Sequence, residues 1–314
     1  MWMLIAKALL PIYVGLLLGY FAGRRKLIDN VNVGSINGLL MQFALPLNLF
    51  VNIASTPRAD ILLQGRFTAV IVLIWVLTFL PTLVLARRVF KRDGGAAAVQ
   101  TLTVSFSNVA GVGLPVLISV FGAKAAFPVA ISIAAGAVTI SPLTLALLEI
   151  AQGGRDAARI RPAEAFARAL GRSVRRPIVY APALGALLAI PGWTPPPLLA
   201  RSVDPITDCT AGVGLFLTGL LLSAQPIRMD LEVASSVLIS NVLKPVLALG
   251  LAVLFGLAAQ QRQEVLLLAA LPCGFFGLVF GANFGVRPAV SGSTLVVSSL
   301  LSAPILALLM GVAA

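Results

Sequence analysis

Asn108, Gly111, Gly113 and Pro115 fall within one eight-residue stretch, N-V-A-G-V-G-L-P, in the middle of an apolar run. Such a set weakens a helix, and at bilayer depth each backbone polar group released costs several kcal/mol unless something bonds it. In return the stretch offers a neutral amide and a half-helix N-terminus with free N–H groups, which together suit an anion such as a carboxylate. A second interrupted stretch runs from Pro272 and Gly274 to Gly277 and Asn283. Gly and Pro also serve close packing or a kink in membrane helices, so each stretch alone has that simpler reading. Two of them in equivalent repeat positions point to a binding site where two half-helices meet.

Other polar residues stand inside apolar runs. Asn48 and Asn52, in L-P-L-N-L-F-V-N-I-A, are four apart and share a helix face. They are either neutral donors toward a substrate or interhelical bonds worth roughly 0.6 kcal/mol each. Thr218 and Ser223 are weaker candidates in a later run. Lys244, followed by Pro245, lies about midway along an apolar run, where a central Lys costs roughly 2.5–3.5 kcal/mol. It lines a wet cavity, where it could couple charge to transport, or reaches a partner, or snorkels to the interface.

Several chemistries are excluded. The chain has no His, which rules out a Ser-His-Asp arrangement and the usual metal ligand. Cys209 and Cys273 stand far apart with no zinc or redox spacing, and no phosphate-binding loop is present. The eleven acidic residues, Glu149, Asp204, Asp208 and Glu264 among them, fall in loops or near the ends of apolar runs rather than inside the interrupted stretches. Carriers that exchange sodium or protons through buried carboxylates would show the opposite. No enzyme, cofactor or metal site is expected.

The elements that must position these residues are membrane helices. With 59% hydrophobic and 11% charged residues, against about 25% charged in soluble proteins, the 314-residue chain reads as an all-α integral membrane protein. Apolar runs place ten spans at 2–22, 32–54, 66–90, 96–120, 126–150, 178–190, 205–224, 233–258, 263–282 and 289–312. The first reads as a span rather than a signal peptide, because Arg24, Arg25 and Lys26 follow it. The net charge of +12 sits in loops rather than on a soluble stripe, so it sets orientation and does not imply nucleic acid. The odd-numbered loops hold sixteen of the Lys and Arg residues and the N-terminus with the even-numbered loops six, which places both termini outside the cytoplasm.

Short matches recur in order. Val120–Ala123 reappears at Val279–Ala282, Ser141-Pro142-Leu143 at Ala303-Pro304-Ile305, and Leu49-Phe50 with Pro57 at Leu215-Phe216 with Pro226. Chance recurrence in an apolar chain is the plain alternative. Five spans per half would make the copies inverted, giving repeats at 1–151 and 178–314 joined by a 152–177 linker with an amphipathic helix.

The stretch from Asn108 to Leu117, followed by Phe121-Gly122, resembles the N-x-x-x-x-G-[IL]-P-L-L motif of the auxin efflux carrier family. Asn48–Pro57, Gly214–Pro226 and Ala270–Val286 through Pro304 are similar to other segments of that family, so the likeness spans nearly the whole chain. It implies ten helices in two inverted five-helix repeats, crossed broken helices four and nine, and elevator-type alternating access. It also implies that Asn108 contacts a substrate carboxylate beside a crossover at Pro115. Gly277 stands where PIN-type carriers have a Pro, so the second break would rest on Gly flexibility, and Asn283 stands where many members carry an acid. The expected activity is secondary transport of small organic anions, directed to export by the resemblance, in a cytoplasmic membrane. The partners expected are the anion, the bilayer and, as a candidate, a second copy of the chain. Sodium- or proton-coupled transport by a related crossed-helix fold, and a non-transporting sensor or assembly protein, are the alternatives.

Overall fold

The computed structural model describes residues 2–58, 64–152, 162–225 and 227–313; residues 153–161 of the linker and Pro226 lie outside them. Among the described residues the chain is helical throughout, with a single isolated β-bridge. In chain order the helices are α1 (Trp2–Arg24), α2 (Gly34–Ala54), α3 (Gly65–Val89), α4 (Gly94–Ser105), α5 (Val109–Phe121) and α6 (Ala123–Gln152). Then come α7 (Pro162–Val174), α8 (Pro177–Ala189), α9 (Pro197–Ser223), α10 (Leu231–Leu254), α11 (Ala259–Ala270), α12 (Phe276–Asn283) and α13 (Ala289–Ala313). Six of them, α2, α3, α6, α9, α10 and α13, are by length and composition able to cross a bilayer. Exposed Leu17, Leu18 and Phe21 on α1 and Val246, Leu249 and Val253 on α10 give these helices the apolar outer faces that lipid requires.

Three helices share a local device with one sequence cause. Wide turns at Leu39–Ala44, Val109–Gly113 and Ile239–Leu243 each end two residues before a proline, Pro46, Pro115 and Pro245. Leu45, Leu114 and Lys244 then donate their N–H five residues back, to Leu40, Val109 and Ile239. A Pro ring crowds the carbonyl four residues before it and brings no N–H of its own, and the preceding turn relieves this by widening. Pro115 therefore does not interrupt its helix, contrary to the sequence expectation. It follows directly on the wide turn, in which Leu114 donates five residues back, to Val109.

Both spans read from the sequence as interrupted are broken. Within 96–120, α4 stops at Ser105, Phe106 turns extended, and α5 starts after Asn108. Ser107 and Asn108 are residue types whose side chains compete for the backbone, and Asn108 caps α5. Within 263–282, α11 stops at Ala270 and α12 starts at Phe276. Leu271 is extended there because the following Pro272 disfavours the helical region for it.

Small residues bring two helix pairs into close contact. Gly15, Gly19 and Gly23 of α1 face α9, and a Cβ on Gly19 or on Gly219 would run into the backbone carbonyl of Phe216 or Leu16. Gly185 of α8 lies in the same way against the Phe50 carbonyl of α2. Such contact supplies the dispersion energy that holds helices together where lipid removes the hydrophobic drive.

Polar side chains tie the loops at each end. Asn30 Nδ2 donates to Ser223 Oγ at 2.7 Å, Arg92 pairs with Glu232 at 2.5 Å, and Gln152 Nε2 donates to the Phe284 carbonyl at 2.6 Å. The α1–α2, α3–α4, α9–α10 and α12–α13 connections thus meet the end of α6 at one face. At the opposite face Gln261 reaches Gln64 at 3.3 Å and Trp193 lies 6.5 Å from Phe50, ring to ring. The basic loops therefore share one end. The amphipathic α7 docks beside it, with Ala165 and Ala169 buried and Arg172 ion-paired to Glu149 of α6.

Candidate functional site

The two breaks cross inside the molecule and complete each other's backbone bonding. The Asn108 N–H donates to the Pro272 carbonyl at 2.8 Å, and the Gly274 N–H donates to the Thr103 carbonyl at 3.0 Å, while Ser107 and Cys273 form an antiparallel bridge. Helix ends leave four carbonyls and four N–H groups unpaired, and here part of that deficit is met by the opposite break. Contact is close because Gly274 has no side chain: a Cβ there would overlap the Phe106 carbonyl. Phe106 itself is held by Trp75, edge-on at 5.5 Å, and by Phe276, stacked at 5.4 Å.

Asn108 is 1% exposed and uses both ends of its amide. Its Oδ1 accepts the Gly111 N–H at 3.1 Å, capping α5, and its Nδ2 donates to Thr218 Oγ1 of α9 at 3.1 Å. Thr218 in turn donates to the Gly214 carbonyl at 2.8 Å. Gly111 and Gly214 face each other so closely that a Cβ on Gly214 would lie 3.0 Å from Gly111 Cα. Three of the N–H groups expected to be free at this N-terminus are bonded. Gly111 is bonded by Asn108, and Val112 and Gly113 both donate to the Asn108 carbonyl at 3.0 Å. The exchangeable contact is the one to Thr218, a hydroxyl on a different helix.

The second break is built from other parts. Cys273 N–H donates to Ser298 Oγ of α13 at 2.9 Å, and Ser298 donates to Asn241 Oδ1 of α10 at 2.6 Å. Asn241 Nδ2 closes the loop on the Ser298 carbonyl at 3.1 Å. Gly277 sits within α12 rather than at a flexible joint, and a Cβ there would strike the backbone of Val99 and Thr103. Its function is close approach of α12 to α4, not the flexibility inferred from the sequence.

Other sequence candidates fall outside the crossing. Asn283 ends α12 and is exposed at the basic end. Asn52 Nδ2 donates to the Asn48 carbonyl at 2.8 Å, and Asn48 reaches the Thr207 carbonyl of α9 at 3.4 Å, so this pair bonds helix to helix and not to Asn108. Lys244 neither snorkels nor lines the large cavity. It is 0% exposed, and its Nζ donates to the Val104 carbonyl and to Ser240 Oγ, both at 3.3 Å, 5.8 Å from the centre of the Trp75 ring.

A cavity of about 820 Å³ opens at the basic end, between the α1–α2 loop, the end of α9 and the α12–α13 turn. Asn30, Asn32, Asn37, Gln225 and Asn283 line it with neutral amides, and Arg287 is the one charge among its described lining residues. Its wall includes Leu221, one turn beyond Thr218 on α9. Beside it Asp29 accepts N–H bonds from Asn32 at 3.0 Å and Val31 at 2.8 Å, which hold its carboxyl below the usual carboxylate range. Sequence reasoning passed over Ser298, Asn241 and Arg287. A run of Ser and Thr along α13 and an Asn three residues before Lys244 were the available signals.

The sequence matches the family described as membrane transport protein over residues 4–310. It is 30% identical to the uncharacterised transporter YfdV of Escherichia coli (strain K12), over 93% of this chain and 92% of that protein. A putative malonate transporter of Rhizobium meliloti (strain 1021) is 28% identical over 95% of this chain and 92% of its own length. Auxin efflux carrier component 8 of Arabidopsis thaliana is 24% identical, covering 96% and 95% respectively.

Proposed function

This chain belongs to the membrane transport protein family, that of the auxin efflux carriers, and on that premise we propose that it is a secondary carrier of small carboxylates. The observation that supports this most is the Asn108–Thr218 bond. It joins the crossed breaks to α9, and its hydroxyl acceptor is one that a carboxylate oxygen can replace without uncapping α5. A charge-assisted bond to a carboxylate is roughly twice as strong as the neutral one it displaces. The anion enters through the cavity, drawn by Arg287 and the surrounding basic loops, and desolvates against neutral amides.

In this reading the chain crosses an inner membrane ten times as two inverted repeats, 1–151 and 178–314, with the 152–177 linker and the basic end cytoplasmic and both termini outside. The closely packed α1–α9 and α2–α8 pairs form a scaffold, and the crossed breaks move past it as an elevator, exchanging the Thr218 contact for substrate. Pairing of two copies belongs to the same proposal. Malonate, carried in the name of one relative, is the first carboxylate to try.

The test is a thermal-shift screen of mono- and dicarboxylates on purified protein, repeated with Asn108→Ala. We expect a carboxylate to raise the melting temperature of the wild type and to do so at least tenfold less effectively, by concentration, in the variant. Loss of the cap alone lowers the variant's unliganded stability by about 1 kcal/mol. Equal ligand response in both proteins sinks the assignment of Asn108.

A further inference from the structure

The short helix α8 has two distinct faces. Ile178, Pro182, Gly185 and Ala189 are buried, with Gly185 against the α2 backbone, whereas Tyr180, Leu184 and Leu187 are exposed on the opposite side. Tyr180 is four residues beyond Arg176, Leu184 eight and Leu187 eleven, so at helical spacing Arg176 stands at the head of the exposed stripe. From the basic end inward the stripe reads cation, ring with a hydroxyl, then leucines. A bilayer presents its headgroups, interface and acyl chains in the same order.

The cations near this point differ in what answers them. Arg172, one turn earlier on α7, is ion-paired with Glu149. Arg176 has the ring of Phe280, which lies 5.2 Å from its guanidinium carbon, and among the described residues no carboxylate or carbonyl accepts from its N–H groups. Phe280 is buried and belongs to α12, and a small recess of about 30 Å³ beside the pair is lined by Ser141, Ser173, Phe106 and Phe276 among others. Desolvation by these surroundings and, after it, the like charge of Arg172 push the Arg176 pKa down from its ordinary value. A phosphate on the guanidinium offsets both, and a guanidinium whose face rests on a ring keeps its N–H edges for paired bonds to phosphate oxygens.

We propose that Arg176 and the exposed stripe of α8 form a binding site for one anionic phospholipid, its phosphate on the Arg176 guanidinium and an acyl chain along Tyr180, Leu184 and Leu187. A zwitterionic lipid can lie along the same stripe, but its headgroup brings a cation of its own, so the unanswered charge of Arg176 selects the anionic one. Because that guanidinium also rests on Phe280, the lipid ties α8, packed on α2, to α12 beyond the second break. The inference needs only the membrane setting and stands apart from the carrier reading.

The experiment uses the full chain purified in a neutral detergent, with phosphatidylglycerol or phosphatidylcholine added, and reads thermal unfolding together with the lipid retained in native mass spectrometry. We expect phosphatidylglycerol to give its half-maximal shift at an at least fivefold lower concentration than phosphatidylcholine, with one molecule retained per chain. In Arg176→Gln the preference should fall to within twofold, while Arg168→Gln, which removes another exposed cation two turns away on α7, should keep it. Equal response to the two lipids in the wild type overturns the proposal. So does a preference that survives Arg176→Gln, or one that Arg168→Gln erases as fully, the mark of diffuse charge. Sodium phosphate giving the same shift as phosphatidylglycerol would leave an anion site without a lipid and overturns it as well. Should Arg176→Gln fail to fold, hydrogen exchange on the wild type decides: phosphatidylglycerol must slow exchange over residues 174–180 at least twofold more than phosphatidylcholine does, and no difference there overturns the proposal.

Discussion

The two breaks look alike in outline and differ in what completes them. At the first, Asn108 caps α5 with its oxygen and sends its nitrogen to a hydroxyl on α9, while a buried ammonium sits on the end of α4. At the second, Ser298 and Asn241 cradle the Cys273 N–H, Gly274 presses on the Phe106 carbonyl, and Phe275 caps α12 with no side-chain bond. A ligand that takes the place of Thr218 leaves the Asn108 cap on Gly111 and the bond from Asn108 N–H to the Pro272 carbonyl in place. At the second break the hydroxyl, Ser298, bonds a backbone N–H directly, so its loss strands a buried donor at a cost of about 1–3 kcal/mol. The first break is suited to binding and the second to holding the crossing in place.

The largest test of that division is Gly274→Ala. The added methyl would overlap a backbone carbonyl, which cannot rotate aside as a side chain does, and the shift would also pull the Gly274 N–H from Thr103. We expect a loss of at least about 3 kcal/mol, read as aggregation or a broad, early melt in size-exclusion and thermal-unfolding measurements. A variant with the wild-type melting temperature would show that the breaks do not depend on this contact and would dissolve the distinction.

Much of this frame is legible in the residues alone. Composition and apolar runs point to a helical membrane protein, and the weak helix formers in the fourth and ninth runs mark the two interrupted elements. The first break falls at the leading edge of the expected stretch, Asn108–Pro115, for a physical reason. Pro115 is the strongest breaker by type, yet the wide turn before it accommodates its ring, and the interruption falls at Phe106–Asn108, where the Asn108 side chain takes a backbone N–H. At the second break the sequence rule works, since Leu271 precedes Pro272. Gly277 is legible as a special position but not as a packing contact, because the helix it presses on is distant in sequence. Lys244 is legible as costly. Its partner is not, for the Val104 carbonyl becomes available only once α4 ends.

A middle-sized effect separates holding from binding. Ser298→Ala removes the acceptor of the buried Cys273 N–H and one bond of Asn241, for an expected cost of about 1–3 kcal/mol in unfolding. Because Ser298 does not touch Asn108 or Thr218, the carboxylate concentration giving a half-maximal thermal shift should stay within about twofold of wild type, as expected for sites without shared partners. A tenfold loss of apparent affinity with little loss of stability would place the ligand at the second break and reverse the comparison.

The smallest effect belongs to Gly113→Ala, in the wide turn that follows the first break. There the new methyl would approach Leu271 Cδ1 at 2.9 Å and Val109 Cγ1 at 3.2 Å, both ends of side chains that can yield. Ala also gains about 0.5–1 kcal/mol over Gly within a helix, which offsets the repacking. The net change should lie within about 1 kcal/mol of zero, with carboxylate response retained, whereas the same one-carbon addition at Gly274 should be ruinous. Since both glycines pack at the crossing and gain the same methyl, their difference isolates the atom met most closely: a mobile methyl of Leu271 in one case and the fixed carbonyl of Phe106 in the other. Equal damage at the two positions in parallel melts would mean that the crossing yields as one body, and that the first break is no more adaptable than the second.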